Sequence, residues 1–505
     1  MTLWGCFFGY HVDFNIILVY NNVDNNIFGE KNMSQKKPNL IYMFADQLRL
    51  CSMGYYGDKK AITPNIDALS HDSCNLINAV SGHPVCAPYR ASLFTGKYTT
   101  STGMVINEIR LNPNHRSFAD VLDDEGYNTA YIGKWHMYAN QLGHHADPKN
   151  SYIPEGRDRL GFNGLFAAYN FHHENYGETS YYHLNSPEKI HYDGFEPDCQ
   201  TDMAIEEMKR LAGEDKPFAL FLSIGIPHDP WDEWNCDPKA YKMFENTEFT
   251  LPENYLPDND PYADDWAKLS PEDRKNLPYW MKGYYSMAEK ADEEVGRMLA
   301  AIKKAGLEDD TIFVFTSDHG ELFGAHGRRA KNIFYEEAVR VPFLVRYPGK
   351  LQNGERDVCL NTVDIMPTLL SMMGMKDDIP EEVEGRDLSE AVYGREGADK
   401  PYGALMMGTG ATAAWEDGHE WRAYRTDRYT YALYLKDGAE LLFDNVEDPL
   451  QMHDLSLDPA YFEKKVELRN EMYAEMNRIG DRFHTSTYYR DNWTKDRIIL
   501  KTKAD

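Results

Sequence analysis

Asp46-Gln47 closes the apolar run Leu40–Ala45, and Asp318-His319 lies just past the run Thr311–Thr316. Three of these four side chains can offer oxygen, and no cysteine pair accompanies them. That donor set suits a hard divalent cation, Ca²⁺ or Mg²⁺, better than structural zinc. Taken singly, Asp46 also reads as a turn cap and Asp318-His319 as a solvated loop. Cys86 opens the run Cys86-Ala87-Pro88-Tyr89-Arg90, with Thr95-Gly96 beyond it. Pro88 suits a first helical turn, which would set the permanent charge of Arg90 close to Cys86. Lys134 and His136 are two residues apart, so on an extended segment they face one way. His228 follows a proline, and Lys331 lies in a polar loop. Arg90, Lys134, His136, His228 and Lys331 together supply the positive field that an anionic ester requires. His228 or Lys331 could protonate its leaving oxygen.

The elements that must position these groups are short β-prone runs. Thr129–Ile132 precedes Gly133-Lys134-Trp135-His136, and Phe218–Ile224 precedes Pro227-His228. Continuous apolar runs of this length suit strands covered on both faces. Open α/β sheets build sites just past the carboxyl ends of such strands. Between the runs, Thr63-Pro64 reads as an N-cap with proline at the first helical position. Met287, Ala291, Val295, Met298, Leu299 and Ile302 recur at helical spacing, as a plain core stripe does. Strand and helix alternate, which makes α/β the expected class. Residues 245–278 are rich in Pro, Asp, Asn and Tyr and read as a long surface excursion over the site. Tyr429–Tyr434 and Glu440–Phe443, joined through Lys436-Asp437-Gly438, read as a hairpin. The expected organisation is a leader or over-extended start at 1–33, a catalytic α/β domain at 34–395, a small C-terminal domain at 396–490, and a charged tail at 491–505.

With 505 residues, 42% hydrophobic and 13% aromatic, the chain can bury a sizeable core. The net charge of −28 argues against nucleic acid and against anionic membranes as partners. Screening confines such repulsion to roughly 8 Å, so a local cluster of cations can still hold one small anion. Seven cysteines without dense spacing suit a reduced compartment rather than a disulfide framework. The first residues lack a positive n-region, and His11, Asp13 and Asn15 interrupt their apolar stretch. They make a poor signal peptide and a poor membrane span, so a cytoplasmic location is expected, with export left open. Composition is silent on oligomeric state.

Read as C-x-P-x-R-x-x-x-x-T-G, the Cys86 run resembles the maturation signature of the type I, formylglycine-dependent sulfatases. Other segments resemble the same family in order: Pro38-Asn39-Leu40, Thr63-Pro64-Asn65-Ile66-Asp67, Gly126-Tyr127, Gly133-Lys134-Trp135-His136, Pro227-His228, Thr316-Ser317-Asp318-His319-Gly320, Val341-Pro342, Asp364-Ile365-Met366-Pro367-Thr368, Leu442-Phe443-Asp444 and Glu447-Asp448-Pro449. The resemblance implies an alkaline-phosphatase-like mixed sheet sandwiched by helices, with a smaller C-terminal α+β domain carrying an antiparallel sheet. It implies that a maturing enzyme converts Cys86 to 3-oxoalanine (formylglycine), whose hydrate attacks sulfur. It also implies Ca²⁺ held by Asp46, Gln47, Asp318, His319 and the modified Cys86, with Arg90, Lys134, His136, His228 and Lys331 around the diol and sulfate.

One position departs from the commonest pattern of the family. Gln47 stands where many members carry a second aspartate; it keeps a carbonyl oxygen but removes one negative charge. Glutamine there also occurs in the related phosphonate monoester hydrolases, so phosphonate monoester or phosphodiester hydrolysis is the alternative reading. An unmatured, inactive metal- or sulfate-binding relative is the second. Lys134-Trp135-His136 resembles the sulfatase version of the pocket and favours sulfate esters. The expected substrate is a small sulfated sugar attacked from its end, with Asn170, His172, His173, Trp231, Arg422 and Arg425 as candidate contacts. Each of these six reads equally well as an ordinary loop or core residue.

Overall fold

The computed structural model describes residues 37–503; the expected leader, 1–33, lies outside them. In chain order the strands are β1 (Asn39–Ala45), β2 (Cys74–Leu76), β3 (Asn128–Lys134), β4 (Phe166–Tyr169), β5 (Tyr181–Tyr182), β6 (Ile190–His191), β7 (Phe218–Ile224), β8 (Thr311–Ser317), β9 (Phe343–Arg346), β10 (Gly354–Arg356), β11 (Gly403–Gly408), β12 (Trp421–Thr426), β13 (Tyr429–Tyr434), β14 (Glu440–Asp444), β15 (Thr494–Lys495) and β16 (Ile498–Ile499). Eight of them form one mixed sheet in the order β10-β2-β9-β8-β1-β7-β3-β4. β1 runs parallel to β7 and β8, with Ala45 beside Ile224 and Ser317, so three carboxyl ends emerge together. β3 lies parallel to β7, while β9 runs antiparallel between β8 and β2.

Every residue of β1, β7 and β8 is buried, which is why these runs are apolar without interruption. Successive β1 side chains still alternate between two cores. Leu40, Tyr42 and Phe44 pack with Ala87, Ala91 and Phe94 of one helix and with Met366 and Leu369 of another. Ile41 and Met43 pack on the opposite face, with Met208 and Leu211 of the helix Glu196–Ala212 and with Met287, Ala291 and Val295 of the helix Pro271–Lys304. The sheet is therefore covered on both sides by helices, as expected.

Local chemistry moves some boundaries. The long helix begins at Pro271, not after residue 278: Ser270 Oγ accepts from Asp273 N at 3.1 Å, and Asp273 Oδ2 accepts from Ser270 N at 2.8 Å. That capping box outweighs Pro278, which sits inside the helix. α1 (Pro64–His71) starts where expected, but Thr63 does not cap it; Thr63 Oγ1 donates to Asp67 instead. Asp292 of the long helix accepts from the backbone N–H groups of Asn65 and Ile66, at 3.2 and 2.6 Å.

β11, β12, β13 and β14 form a second, antiparallel sheet, and β13–β14 is the expected hairpin. One face packs on Leu468, Met472 and Met476 of the helix Phe462–Arg478. The other packs on Ile333 and Phe334. Residues 491–503 of the expected charged tail are ordered: β15 and β16 form a ribbon that returns to the main sheet's loops. Arg110 N donates to Arg497 O at 2.9 Å, and Ile499 N to Arg110 O at 2.9 Å. Arg497 Nη2 donates to Asn107 O at 3.1 Å and to Ala413 O at 2.8 Å. No helix among the described residues is long and apolar enough to cross a membrane.

Candidate active site

The carboxyl ends of β1, β8 and β3 deliver Asp46-Gln47, Asp318-His319 and Lys134, and the loop after β7 delivers His228. α2 (Cys86–Thr95) brings Cys86 as its first residue and Arg90 one turn later, both fully buried. A helix N-terminus favours an anion, so it favours a thiolate or any other anionic oxygen at position 86. Several neighbouring residues adopt left-handed backbone that non-glycine residues rarely take: Gln47 (φ 70°), Glu108 (60°), His136 (57°) and Ala330 (59°). Such conformations cluster at functional sites, where surrounding bonds hold them.

Ligand-type atoms of Asp46, Cys86, Asp318 and His319 all lie within 4.8 Å of one another. Asp46 Oδ1 is 3.7 Å from Cys86 Sγ and 3.9 Å from His319 Nε2. Asp318 Oδ1 is 3.6 Å from His319 Nε2. His319 Nδ1 donates to Gly320 O at 3.0 Å, which leaves Nε2 as the lone-pair nitrogen facing the cluster. Burial and the repulsion of Asp46 raise the Asp318 pKa, as expected of two buried carboxylates that converge on one point. Two carboxylates, one imidazole lone pair and a nearby amide oxygen fit a divalent cation.

Gln47 joins this set through a residue not singled out in the sequence. Its Nε2 donates to Glu321 Oε2 at 2.8 Å, and its Oε1 accepts from Lys331 Nζ. Glu321 Oε1 accepts from the N–H groups of Phe323 (3.0 Å) and Ala330 (2.8 Å). Glu321 accepts from Gln47 Nε2 and from two backbone N–H groups, so it fixes the amide with its oxygen toward Lys331 Nζ.

Cations surround the carboxylates. Asp46 Oδ2 accepts from Lys134 Nζ at 2.6 Å and from Arg90 Nη2 at 3.2 Å. Arg90 Nη2 also reaches Asp318 Oδ2 at 3.4 Å and so spans both acids. Burial and Cys86 push the Asp46 pKa up, but Lys134, His228 and Arg90 outweigh them and bring it to about 2. Burial opposes ionisation of the Cys86 thiol, yet Lys134, Lys331 and His319 hold its pKa well below the ordinary value. His228 Nδ1 lies 3.0 Å from Asp229 Oδ1, and its Nε2 lies 2.8 Å from Lys331 Nζ. Burial and Lys331 oppose protonation of His228, but Asp229 and Asp46 raise its pKa to about 9. At 2.8 Å Lys331 Nζ can donate to His228 Nε2 only while that nitrogen carries no proton of its own.

Lys134 and His136 converge on the site, but not by alternation along a strand. β3 ends at Lys134, and His136 turns left-handed while its N–H donates to Asn170 O at 2.8 Å. His136 Nε2 lies 3.1 Å from Glu108 Oε1, and His145 Nδ1 lies 3.5 Å from Glu108 Oε2. Burial raises the Glu108 pKa, but bonds from both histidines bring it to about 2. His136 Nδ1 is buried with no hydrogen-bond partner. The Phe171 ring packs against His136, His145 and His173, with centroids 4.4, 4.1 and 4.3 Å away.

A cavity of about 590 Å³ lies beside these residues; Glu108, Phe171, His173, His228 and Lys331 line it. Of the candidate substrate contacts, His172 and His173 also line it, and the other four do not. Asn170 is buried, its Oδ1 accepting from Tyr138 N at 2.9 Å. Trp231 is a core residue whose Nε1 donates to Pro227 O at 2.7 Å. Arg422 and Arg425, on the second sheet, turn into buried ion pairs, with Asp481 at 2.5 Å and Glu336 at 2.6 Å. Glu321 follows the Asp318-His319-Gly320 motif directly, so its position was a usable signal. Glu108, His145 and Phe171 lie on loops without any local pattern, and only the fold brings them to His136.

The sulfatase family model matches residues 38–375. The chain belongs to the sulfatase family. A second model, described as N-sulphoglucosamine sulphohydrolase, C-terminal, matches residues 324–478 of this sulfatase. An ulvan-active sulfatase of Formosa agariphila is 36% identical over 463 residues, covering 90% of this chain and 84% of that relative. An endo-4-O-sulfatase of Bacteroides thetaiotaomicron is 29% identical over 504 residues, covering 90% and 94%. A solved structure from Bacteroides fragilis, a candidate sulfatase yidJ, superposes with a TM-score of 0.76 at 28% identity, covering 90% of this chain and 98% of that one. The sulfatase is thus a sulfuric ester hydrolase with the alkaline-phosphatase-like architecture.

Proposed function

We propose that this sulfatase removes a sulfate group from a sugar, with position 86 as the nucleophile once it has become formylglycine. One observation carries the reading. The fully buried Cys86 heads a helix and faces Asp46, Asp318 and His319 inside a ring of cations. The sugar part rests on the cavity beside that centre and on similarity to an ulvan-active sulfatase. Burial of position 86 favours attack at the end of a glycan chain.

In the overall reaction the sulfur–oxygen bond to the sugar breaks, water supplies the new oxygen on sulfate, and the sugar oxygen gains a proton. Asp46, Gln47, Asp318 and His319 would hold a divalent cation, which when bound polarises a sulfuryl oxygen. Formylglycine at position 86, once hydrated, would supply one hydroxyl as nucleophile and a second through which sulfate could be released. Arg90 spans Asp46 and Asp318 and keeps their spacing. Lys134 and Lys331 add positive charge where the anionic ester enters. The pair His228 Nε2 and Lys331 Nζ holds the proton for the leaving oxygen, while Asp229 anchors the other ring nitrogen. His136 Nδ1 has a lone site for a proton from position 86, with Nε2 held by Glu108.

Mass spectrometry of the peptide spanning residues 86–90, from protein made in its native host, tests the nucleophile. An intact thiol there would sink the mechanism. Sulfate release from monosaccharides sulfated at defined positions tests the substrate class. The phosphonate reading wins if the matured enzyme cleaves aryl phosphonate monoesters faster than aryl sulfates.

A further inference from the structure

Arg329 brings to the cavity a charge that the chemistry at position 86 does not use. It lines the same cavity as His228 and Lys331. Its Nε is buried without a hydrogen-bond partner, and its ion-pair contact with Asp273 is long, at 3.8 Å. The acids of the cavity wall have nearer partners: Glu108 holds His136 and His145, Asp229 holds His228 and feels Arg329 only beyond ion-pair distance, and Glu174 accepts from Thr179. Arg422 and Arg425, by contrast, have close carboxylate partners. Besides Lys331, which the chemistry at position 86 uses, Arg329 is the cation of this wall that lacks a close carboxylate.

Its surroundings are built rather than loose. Arg329 N donates to Ala267 O at 2.8 Å, which ties it to the excursion bearing Trp266. The guanidinium carbon lies 5.5 Å from the Trp280 ring centroid. Trp266 lines the same cavity and is 55% exposed, a large apolar face left in water. Indole faces suit the C–H face of a sugar ring, and a guanidinium fork suits a planar or tetrahedral oxyanion. The cavity falls within the roughly 300–1,000 Å³ range of drug-sized ligand sites, with room for more than the sugar being desulfated.

We propose that Arg329 and Trp266 form a second subsite, which binds a further anionic group on the sugar next to the one being desulfated. The group is a carboxylate or a second sulfate, and the substrate class is a polyanionic oligosaccharide. This rests on the sugar-sulfate reading above. It also places a local cation where a chain of net charge −28 would otherwise repel such a ligand.

The test is binding, measured by titration calorimetry on full-length Cys86→Ser protein. Three disaccharides share one sulfated terminal sugar; the neighbouring sugar is neutral, a uronate, or sulfated. At least one charged neighbour should bind about tenfold tighter than the neutral one, and the two charged arms tell carboxylate from sulfate. R329A should shrink that preference to below about twofold, and R329K should keep part of it. The readout is a ratio within each protein, so a general loss of fold cannot mimic it. Equal binding of all three by the Cys86→Ser protein, or a preference that survives R329A, overturns the proposal. Sulfate release by the matured wild-type enzyme is scored separately, so a failure of the sulfatase reading is distinguishable from a failure of the subsite.

Discussion

Replacing Glu321 by Gln should cripple divalent-cation binding although Glu321 belongs to no set of ligands. Glu321 accepts on both oxygens, from two backbone N–H groups and from Gln47 Nε2. A glutamine at 321 has only one acceptor oxygen. If that oxygen serves the backbone, its NH₂ faces Gln47, whose amide must turn over and present its own NH₂ where its oxygen now meets Lys331 Nζ. If it serves Gln47, its NH₂ faces two backbone donors. Either way one buried donor loses its partner, at a cost of about 1–3 kcal/mol. Outer partners of metal sites typically govern affinity by about 10–100-fold. At a calcium concentration of ~100 times the wild-type Kd, binding adds about 2.7 kcal/mol of stability. The substitution should remove roughly half or more of that. Thermal unfolding of the apo and calcium-loaded proteins measures the increment, and terbium luminescence measures affinity directly. A calcium-induced rise in Tm equal in E321Q and wild type would refute the orientation argument.

Glu108→Gln keeps the shape but removes the charge between His136 and His145; kcat should fall about tenfold or more with a smaller change in KM, read from steady-state kinetics on one sulfated sugar. Arg422→Ala should cost about 3–5 kcal/mol in denaturant unfolding, because Asp481 is left buried and unpaired, while the preference among sulfated sugars stays as it was. Asp364 caps a buried helix start, and burial raises its pKa from 3.8 to about 6. Its folded-state pKa lies above the unfolded one, so this contribution is full below about pH 4 and is lost as pH rises through about 6. In Asp364→Asn that loss, at most about 3 kcal/mol, should vanish from the stability–pH profile measured by urea unfolding.

Much of the fold was legible because β1, β7 and β8 are buried on both faces and announce themselves as unbroken apolar runs. The functional groups past their ends were legible for the same reason: a sharp change from apolar to polar marks where a strand leaves the sheet. The start of the long helix was hidden by Pro278, whose local penalty the Ser270–Asp273 capping box and the core stripe overcome. Arg422 and Arg425 misled because an arginine on a strand looks the same in sequence whether it faces a ligand or Asp481 and Glu336. Glu108, His145 and Phe171 were illegible for a different reason. Their roles arise from contacts with His136 that cross loops, and no spacing rule links them. Gln47 carries one negative charge fewer than an aspartate would; Glu321 beside it supplies a nearby charge and holds its amide, a pairing that residue type alone does not reveal.

The return of β15–β16 to residues 107–110 also fixes an order of events in synthesis. Arg497, whose Nε donates to Glu108 O, leaves the ribosome 389 residues after Glu108. Until it emerges, the segment that steadies His136 lacks its partner strand. Cys86, roughly 400 residues earlier, is wholly enclosed in the finished fold, so the proposed conversion to formylglycine would have to reach it before the fold closes. At about 5–20 residues per second the interval lasts roughly 20–80 s. On the formylglycine reading proposed above, the yield of active molecules would then depend on translation speed as well as on the amount of maturing enzyme.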